Sequence, residues 1–465
     1  MSTIAVIGAG YVGTTTAACL AWLGHDVVCA DVDAAKVRRL AAGEIPILEE
    51  HLEAVSATGL ASGRLRFTTG VAAAAAAAEF VFLCLPTPAG ESGEADLSAV
   101  VAACRQIAPG LSDGTVVVNK STMPVGSARR VEQALLAAGA ASGRFSVVSN
   151  PEFLCEGSAV RGFLEPDRIV LGADDPETAA RVAALYRDVD APIVVMTPES
   201  AEMTKYAANA YLATRLTFVN SIANLCELVG ADVVEVTCGM GLDERIGPRF
   251  LQPGPGYGGS CLPKDTAALL HAARSAGFDF DMLRSVVVAN SRQRDRVVEK
   301  IEAQAGGSLA GAAVAVWGLT FKAGTDDLRG SPALDIIEVL VVAGAAVRAY
   351  DPVAGDAAAR VLGGVDVVND PYLACKEADV LVVLTEWDEF RTLDFERVRR
   401  LMTGVGVVDA RNALDAALLH RLGFTYDGVG RPAGCREGRG RGGWIEASEN
   451  DPMEAGAVEE HQETA

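Results

Sequence analysis

The segment Gly256-Tyr257-Gly258-Gly259-Ser260-Cys261-Leu262-Pro263-Lys264-Asp265 concentrates residue types that can do chemistry. Its glycines let a backbone approach a ligand closely, and Lys264 is a neighbouring cation that could favour the thiolate of Cys261, the nucleophilic form. The same residues suit a buried cysteine beside a glycine loop equally well, because neighbours in sequence need not be neighbours in space. A second pattern, Gly8-Ala9-Gly10-Tyr11-Val12-Gly13, follows a β-rich run and opens a helical one. Glycines so spaced make a tight turn and bring a pyrophosphate to a helix N-terminus. Alone the pattern says little, but the next strand ends in Asp31, where a carboxylate accepts from both ribose hydroxyls of an adenosine and repels a 2′-phosphate. The two features together predict NAD rather than NADP.

Elements must hold these groups in place. The first thirty residues read strand, glycine turn, helix, strand, a βαβ unit. Apolar β-rich runs at 79–86, 115–121 and 145–151 alternate with alanine-rich helical stretches, the pattern of a parallel sheet covered on both faces. The alanine run 72–78 reads as helix. From about 198 to 300 strand signals vanish and apolar residues recur at helical spacing, which predicts one long helix from about 199 to 230 and another from about 281 to 301. A second α/β series follows, with strands in AAVAVWGLTF, AVRAYDP, ADVLVVLTEW and GVGVVDARN and a helix in SPALDIIEVLVVAG. The expected organisation is a Rossmann-like domain over 1–195, a helical region carrying the cysteine loop over 196–307, a second doubly wound α/β domain over 308–430, and a disordered tail over 431–465.

Composition narrows the class. At 465 residues the chain exceeds one ordinary core, and with 50% hydrophobic and 22% charged residues it reads as globular. A formal net charge of −21 argues against a nucleic-acid groove. The start MSTIAVIGAG has no basic lead and its apolar run is too short for a signal peptide or membrane span, so a soluble cytoplasmic protein is expected. Ten cysteines (Cys19, Cys29, Cys84, Cys104, Cys155, Cys226, Cys238, Cys261, Cys375 and Cys435) include no CxxC pair, which suggests neither a zinc site nor a disulfide framework and leaves most of them as small buried hydrophobes.

Six motifs in order, GAGYVG, KSTMPVG (120–126), NPEFLCEG (150–157), KYAANAY (205–211), PGYGGSCLPKD and FKAGTDDLRGSPA (321–333), resemble the UDP-glucose/GDP-mannose dehydrogenase family over about 1–430. The resemblance implies two Rossmann-like domains joined by a long central helix that also dimerises the protein, and a cleft between them in which UDP-glucose is oxidised to UDP-glucuronate by two NAD⁺ in succession. Cys261 then matches the nucleophile that makes a thiohemiacetal and a thioester, and Asp265 the carboxylate assisting proton transfer through water. Lys205 and Asn209, at i and i+4, share one helix face and match the pair bracketing the reacting sugar. Thr122 matches a water-positioning hydroxyl and Glu152 the acid–base residue of thioester hydrolysis. Apart from the resemblance, Lys205 reads as a solvated helix residue.

The same correspondence implies cofactor contacts at Gly8, Gly10, Tyr11, Val12, Gly13, Asp31, Lys36, Thr87, Thr122, Glu156, Lys264 and Arg329. For the nucleotide sugar it implies Glu152, Phe153, Leu154, Cys155, Lys205, Asn209, the loop Phe250, Leu251, Gln252, Pro253, Gly254 and Gly258, and the cations Lys322 and Arg411, with Arg245 matching an arginine that some relatives supply from the partner subunit. Taken alone, Lys322 and Arg329 read as surface ion pairs. Two positions depart from the pattern: Cys155, where a basic or small residue is frequent, and Gly330, where an acidic one often follows the arginine. No metal is implied. The competing readings are GDP-mannose or UDP-N-acetyl-hexosamine as substrate, a non-enzymatic NAD-binding sensor, and a two-electron dehydrogenase of the 6-phosphogluconate type, which would need neither Cys261 nor a second α/β domain.

Overall fold

A computed structural model describes residues 1–90 and 92–431. The expected tail lies outside these residues except for Arg431, whose guanidinium pairs with Asp232 at 3.3 Å; Cys435 also lies outside them.

The first lobe is an eight-stranded sheet in the order β3-β2-β1-β4-β5-β6-β7-β8. Its strands are β1 (Thr3–Ile7), β2 (Asp26–Ala30), β3 (Leu65–Thr68), β4 (Phe80–Leu83), β5 (Thr115–Asn119), β6 (Phe145–Ser149), β7 (Ile169–Gly172) and β8 (Ile193–Met196). β1, β4 and β5 consist almost wholly of buried residues, as strands covered on both faces must. The expectation of a parallel sheet needs one correction. β6 meets β7 antiparallel, through Ser149 and Gly172, so β7 and β8 run against the rest.

The second lobe is a six-stranded parallel sheet in the order β11-β10-β9-β12-β13-β14. It comprises β9 (Ala313–Trp317), β10 (Ala346–Tyr350), β11 (Val365–Val367), β12 (Val380–Val383), β13 (Gly406–Asp409) and β14 (Thr425–Gly428). In both sheets the order reverses beside the first strand, and the loops leaving the carboxyl ends there are where such folds bind ligands.

Between the lobes runs the 32-residue central helix Pro198–Val229. Thr197 caps its start by accepting from the Ser200 amide at 3.3 Å, Pro198 occupies its first turn, and Gly230 ends it in the left-handed region at φ 79°. Glu202 anchors it to the first lobe: its buried carboxylate accepts from the amides of Gly126 (2.6 Å), Ser127 (3.2 Å) and Ala128 (2.8 Å), which open the helix Ser127–Ala137. Helices Leu262–Ser275 and Asp281–Gln304 pack along it. Among the described residues no helix is long and apolar enough to cross a membrane. Cys19, Cys29, Cys84, Cys104, Cys226 and Cys375 are buried, whereas Cys155, Cys238 and Cys261 are exposed.

Candidate active site

The glycine turn links β1 to the helix Tyr11–Trp22. Gly8 has φ 101°, and a Cβ on Gly13 would lie 1.8 Å from the Gly8 carbonyl oxygen, so neither tolerates a side chain. A Cβ on Gly10 would meet open space, which leaves room for a phosphate against the first turn of the helix. Asp31, just past β2, accepts from the amides of Ala9 (2.8 Å) and Asp33 (2.9 Å) and pairs with Lys36 at 3.1 Å. Burial works against its charge, but these donors win and hold the carboxyl below its ordinary range. Turn, carboxylate and lysine fit an NAD adenosine. Thr87, after β4, donates to the Thr122 carbonyl after β5 at 2.8 Å, and Thr122 borders a small cavity shared with Asn119, Ser149, Glu202 and Lys205. Tyr11 turns away to donate to the buried Glu49.

Cys261 occupies the N-cap of the helix Leu262–Ser275, where helix-end amides favour a negative sulfur. Its thiol is nonetheless pushed above the ordinary value, first by its surroundings of protein and then by the Glu152 carboxylate, with Lys205 the cation that pulls the other way. This corrects the sequence expectation for Lys264, which instead lies 2.5 Å from Asp265 Oδ1. Lys205 is also not a solvated helix residue. It is buried on the central helix, 3.2 Å from Glu152 Oε1 and 5.3 Å from the centre of the Phe153 ring. Burial would lower its pKa, but Glu152, then Asp265 and Cys261, outweigh that and raise it. Glu152 also accepts from the Leu154 amide at 2.7 Å, and against burial it is held as a carboxylate, chiefly by Lys205. One turn after Lys205, Asn209 donates to Asp265 Oδ2 at 2.6 Å. One face of the central helix thus meets Glu152 of the first lobe and Asp265 of the cysteine helix.

The second lobe closes over this set. Lys322, after β9, donates to the Glu156 carbonyl at 2.6 Å and reaches Cys155 Sγ at 3.1 Å. Arg329 is held on Asp327 by two bonds of 2.8 and 2.7 Å, with Glu156 at 3.7 Å. Ser260 donates to Glu156 Oε1 at 3.0 Å. Burial, then Asp327, raises the pKa of Glu156. The departure at Gly330 has a physical reason: it sits at φ 57° and its oxygen accepts from the Gly259 amide at 3.2 Å, while a Cβ on Gly258 would lie 2.1 Å from that oxygen.

The loop from Phe250 to Gly258 is fixed by three buried amide side chains that the sequence reading did not single out. Asn220 accepts from the Gly254 amide at 2.8 Å, Gln293 donates to the Gly254 carbonyl at 2.9 Å, and Asn290 both accepts from and donates to Tyr257 at 2.7 and 3.1 Å. Within it Phe250 has φ 60°, Leu251, Pro253 and Gly254 are buried, and Gln252 is exposed. Arg411, after β13, donates to the Phe321 and Leu384 carbonyls at 2.7 and 2.9 Å, and a Cβ on Gly254 would lie 3.2 Å from its guanidinium. Val12 and Leu154 pack on the first-lobe core. Arg245 stands apart: its side chain is 88% exposed and grips Asp243 on its own turn.

Three family models match this chain in order: the NAD binding domain of the UDP-glucose/GDP-mannose dehydrogenase family over 2–190, its central domain over 199–292 and its UDP binding domain over 315–416. UDP-glucose 6-dehydrogenase of Rhizobium meliloti (strain 1021) is 46% identical over 435 residues, which is 92% of this chain and 99% of that protein. Among solved structures, a UDP-glucose dehydrogenase from the hyperthermophilic archaeon Pyrobaculum islandicum superposes with a TM-score of 0.85 at 37% identity, covering 93% of this chain and 98% of that one. A UDP-D-ManNAc dehydrogenase from Pyrococcus horikoshii does so at 0.82 and 27%, covering 92% and 99%. With a cysteine at a helix N-cap facing a buried lysine–carboxylate pair between two α/β lobes, and with all three models matched over most of its length, this chain belongs to the UDP-glucose/GDP-mannose dehydrogenase family.

Proposed function

We propose that this protein oxidises C6 of UDP-glucose to the carboxylate of UDP-glucuronate through a covalent intermediate on Cys261. The observation that carries the reading is the convergence of Cys261, Lys205, Glu152, Asn209 and Asp265 at the meeting of the two lobes. UDP-glucose is favoured as substrate by the relative that is 46% identical over nearly its whole length. The same reading assigns 1–195 to the cofactor, 196–307 to the cysteine loop and subunit contact, and 308–430 to the nucleotide sugar.

Bound NAD⁺, seated by Gly8, Gly10, Gly13, Asp31 and Lys36, supplies the hydride acceptor for each of the two oxidations. Toward the alcohol, the Lys205 ammonium stabilises negative charge developing on the C6 oxygen, and Asp265, steadied by Asn209, takes the hydroxyl proton through water. Toward the aldehyde, Cys261 sulfur forms a bond to C6, its proton leaves, and the carbonyl oxygen is protonated to a thiohemiacetal hydroxyl. Oxidation of that centre leaves a thioester. Glu152, held as a carboxylate, takes a proton from a water positioned by Thr122; the water's oxygen joins C6, the C–S bond breaks, and the acid and the free thiol are released.

Subunit pairing belongs to the same reading. Tyr211, Phe218 and Leu225 are 60%, 51% and 51% exposed at seven-residue spacing on the central helix, an apolar stripe fit for a second copy. Arg245, extended into solvent, is available to reach a partner's cleft. The deciding test is NADH formed per sugar consumed, with UDP-glucose, GDP-mannose and UDP-N-acetylglucosamine offered separately. The expected result is about two NADH per UDP-glucose and none from the others. About one NADH would refute the four-electron course, and turnover of another sugar would move the specificity.

A further inference from the structure

Glu49 is a buried carboxylate that the reaction above does not use. It ends a non-helical stretch in which Ile45, Ile47 and Glu49 are covered at alternate positions while Glu44, Pro46, Leu48 and Glu50 are exposed. The two isoleucines pack on the first-lobe core, and the third covered position holds a charge. His51, in the left-handed region at φ 66°, turns the chain into the helix Leu52–Ala61.

Three donors converge on this carboxylate. The Tyr11 hydroxyl and the Gly157 amide (2.7 Å) donate to Oε2, and the Ala159 amide donates to Oε1 at 2.6 Å. Tyr11 opens the helix that follows the glycine turn. Gly157 and Ala159 end the loop that carries Glu152 and Glu156. On the far side of that loop stands the second lobe, with Lys322 on the Glu156 carbonyl and the Gly324 oxygen 2.7 Å from where a Gly157 Cβ would sit. Burial, then Glu49, pushes the Tyr11 pKa far up, so its hydroxyl remains the donor.

We propose that Glu49 is a positioning residue, tying the first turn of the cofactor helix to the loop of Glu152 and Glu156 and thereby fixing that loop opposite Cys261. The proposal rests on the reaction assigned above. Its consequence is selective. The loop carries the base for thioester hydrolysis, so loosening it slows release of the acid more than formation of the first NADH.

The test compares Glu49→Gln, Tyr11→Phe and the double variant with the unmodified protein, by rapid-mixing NADH kinetics with UDP-glucose. In Glu49→Gln one amide donor would face another, so one backbone N–H loses its acceptor. The expected outcome is a kcat lower by about tenfold, with the first-turnover rate changed by less than about threefold. Tyr11→Phe should lose less, and the double variant no more than Glu49→Gln alone. A folded Glu49→Gln with unchanged kcat, an equal fall of both rates, or additive losses would overturn the tie. Should Glu49→Gln not fold, Tyr11→Phe decides alone, and unchanged kcat and KM would overturn it. The NADH count of the unmodified protein tests the parent reaction independently, so the two failures are distinguishable.

Discussion

At Cys261 two influences of opposite sign act on one sulfur. The helix N-terminus and Lys205 favour the thiolate, while desolvation by the surrounding protein and then Glu152 favour the thiol, and the balance raises the pKa although the residue keeps exposed surface. A raised pKa means that the sulfur still carries its proton at pH values where a free cysteine, with a pKa of about 8.5, has begun to lose it. Alkylation of Cys261 by iodoacetamide, read peptide by peptide in a mass spectrometer, is therefore expected to rise with pH along a curve displaced to the alkaline side of free cysteine. A curve displaced to the acid side would show that the helix end prevails. Cys261→Ser is expected to stop product formation after the first oxidation, because an alcohol does not replace the thiolate as a nucleophile at neutral pH; full conversion to the acid would refute the covalent course. Cys261 could be singled out in the sequence by its company, but its controlling cation could not. Lys264 is three residues away and binds Asp265, whereas Lys205 is 56 residues away and is delivered by the fold.

At the scale of elements, chemistry-bearing residues leave the carboxyl ends of β1, β2, β4, β5, β6, β9 and β13, and strands of this kind announce themselves as apolar runs. Of those not foreseen, β3 and β8 are partly exposed, whereas β7 is buried throughout but only four residues long. β3 spans four residues and carries an exposed arginine, and β8 leaves Val194 and Val195 41% and 53% exposed. Neither has the continuous apolar signal of a strand buried on both faces. The clamp on the loop over 250–258 was equally illegible. Asn220, Asn290 and Gln293 lie in helical stretches, where an amide side chain ordinarily marks the solvated face, and only the returning loop makes them interior. That arrangement predicts the effect of Asn290→Leu. The Tyr257 N–H and C=O would both lose buried partners, each at about 1–3 kcal/mol, so a stability loss of about 2–6 kcal/mol is expected in urea denaturation. KM for UDP-glucose should rise with kcat less affected, since the proposed function gives this loop the substrate and not the reacting sulfur. A variant as stable as the original would mean that the loop finds other partners.

The molecule as a whole presents a central helix whose two faces obey different rules. One face is buried and polar where it serves the cleft, with Glu202, Lys205, Asn209 and Asn220 all under one tenth exposed. The other leaves Tyr211, Phe218 and Leu225 in the open, with Leu228 and Val229 beyond them at 79% and 67%. An ideal helix drifts only about 20° per heptad, so residues seven and fourteen apart stay on one side, and single apolar residues on a surface are ordinary where such a row is not. A second copy packed along this row would bury each side chain twice about a two-fold axis, at about 1.5–3 kcal/mol for each fully covered residue. Phe218→Asp combined with Leu225→Asp would place four carboxylates in that contact. Light scattering after size exclusion is then expected to report twice the chain mass for the unmodified protein and the single-chain mass for the variant. Activity should fall with the mass if Arg245 works in the partner's cleft, and Arg245→Ala in the intact dimer should lower activity in the same direction. A variant that stays dimeric would place the subunit contact elsewhere, and a fully active monomer would show that each cleft is complete within one chain.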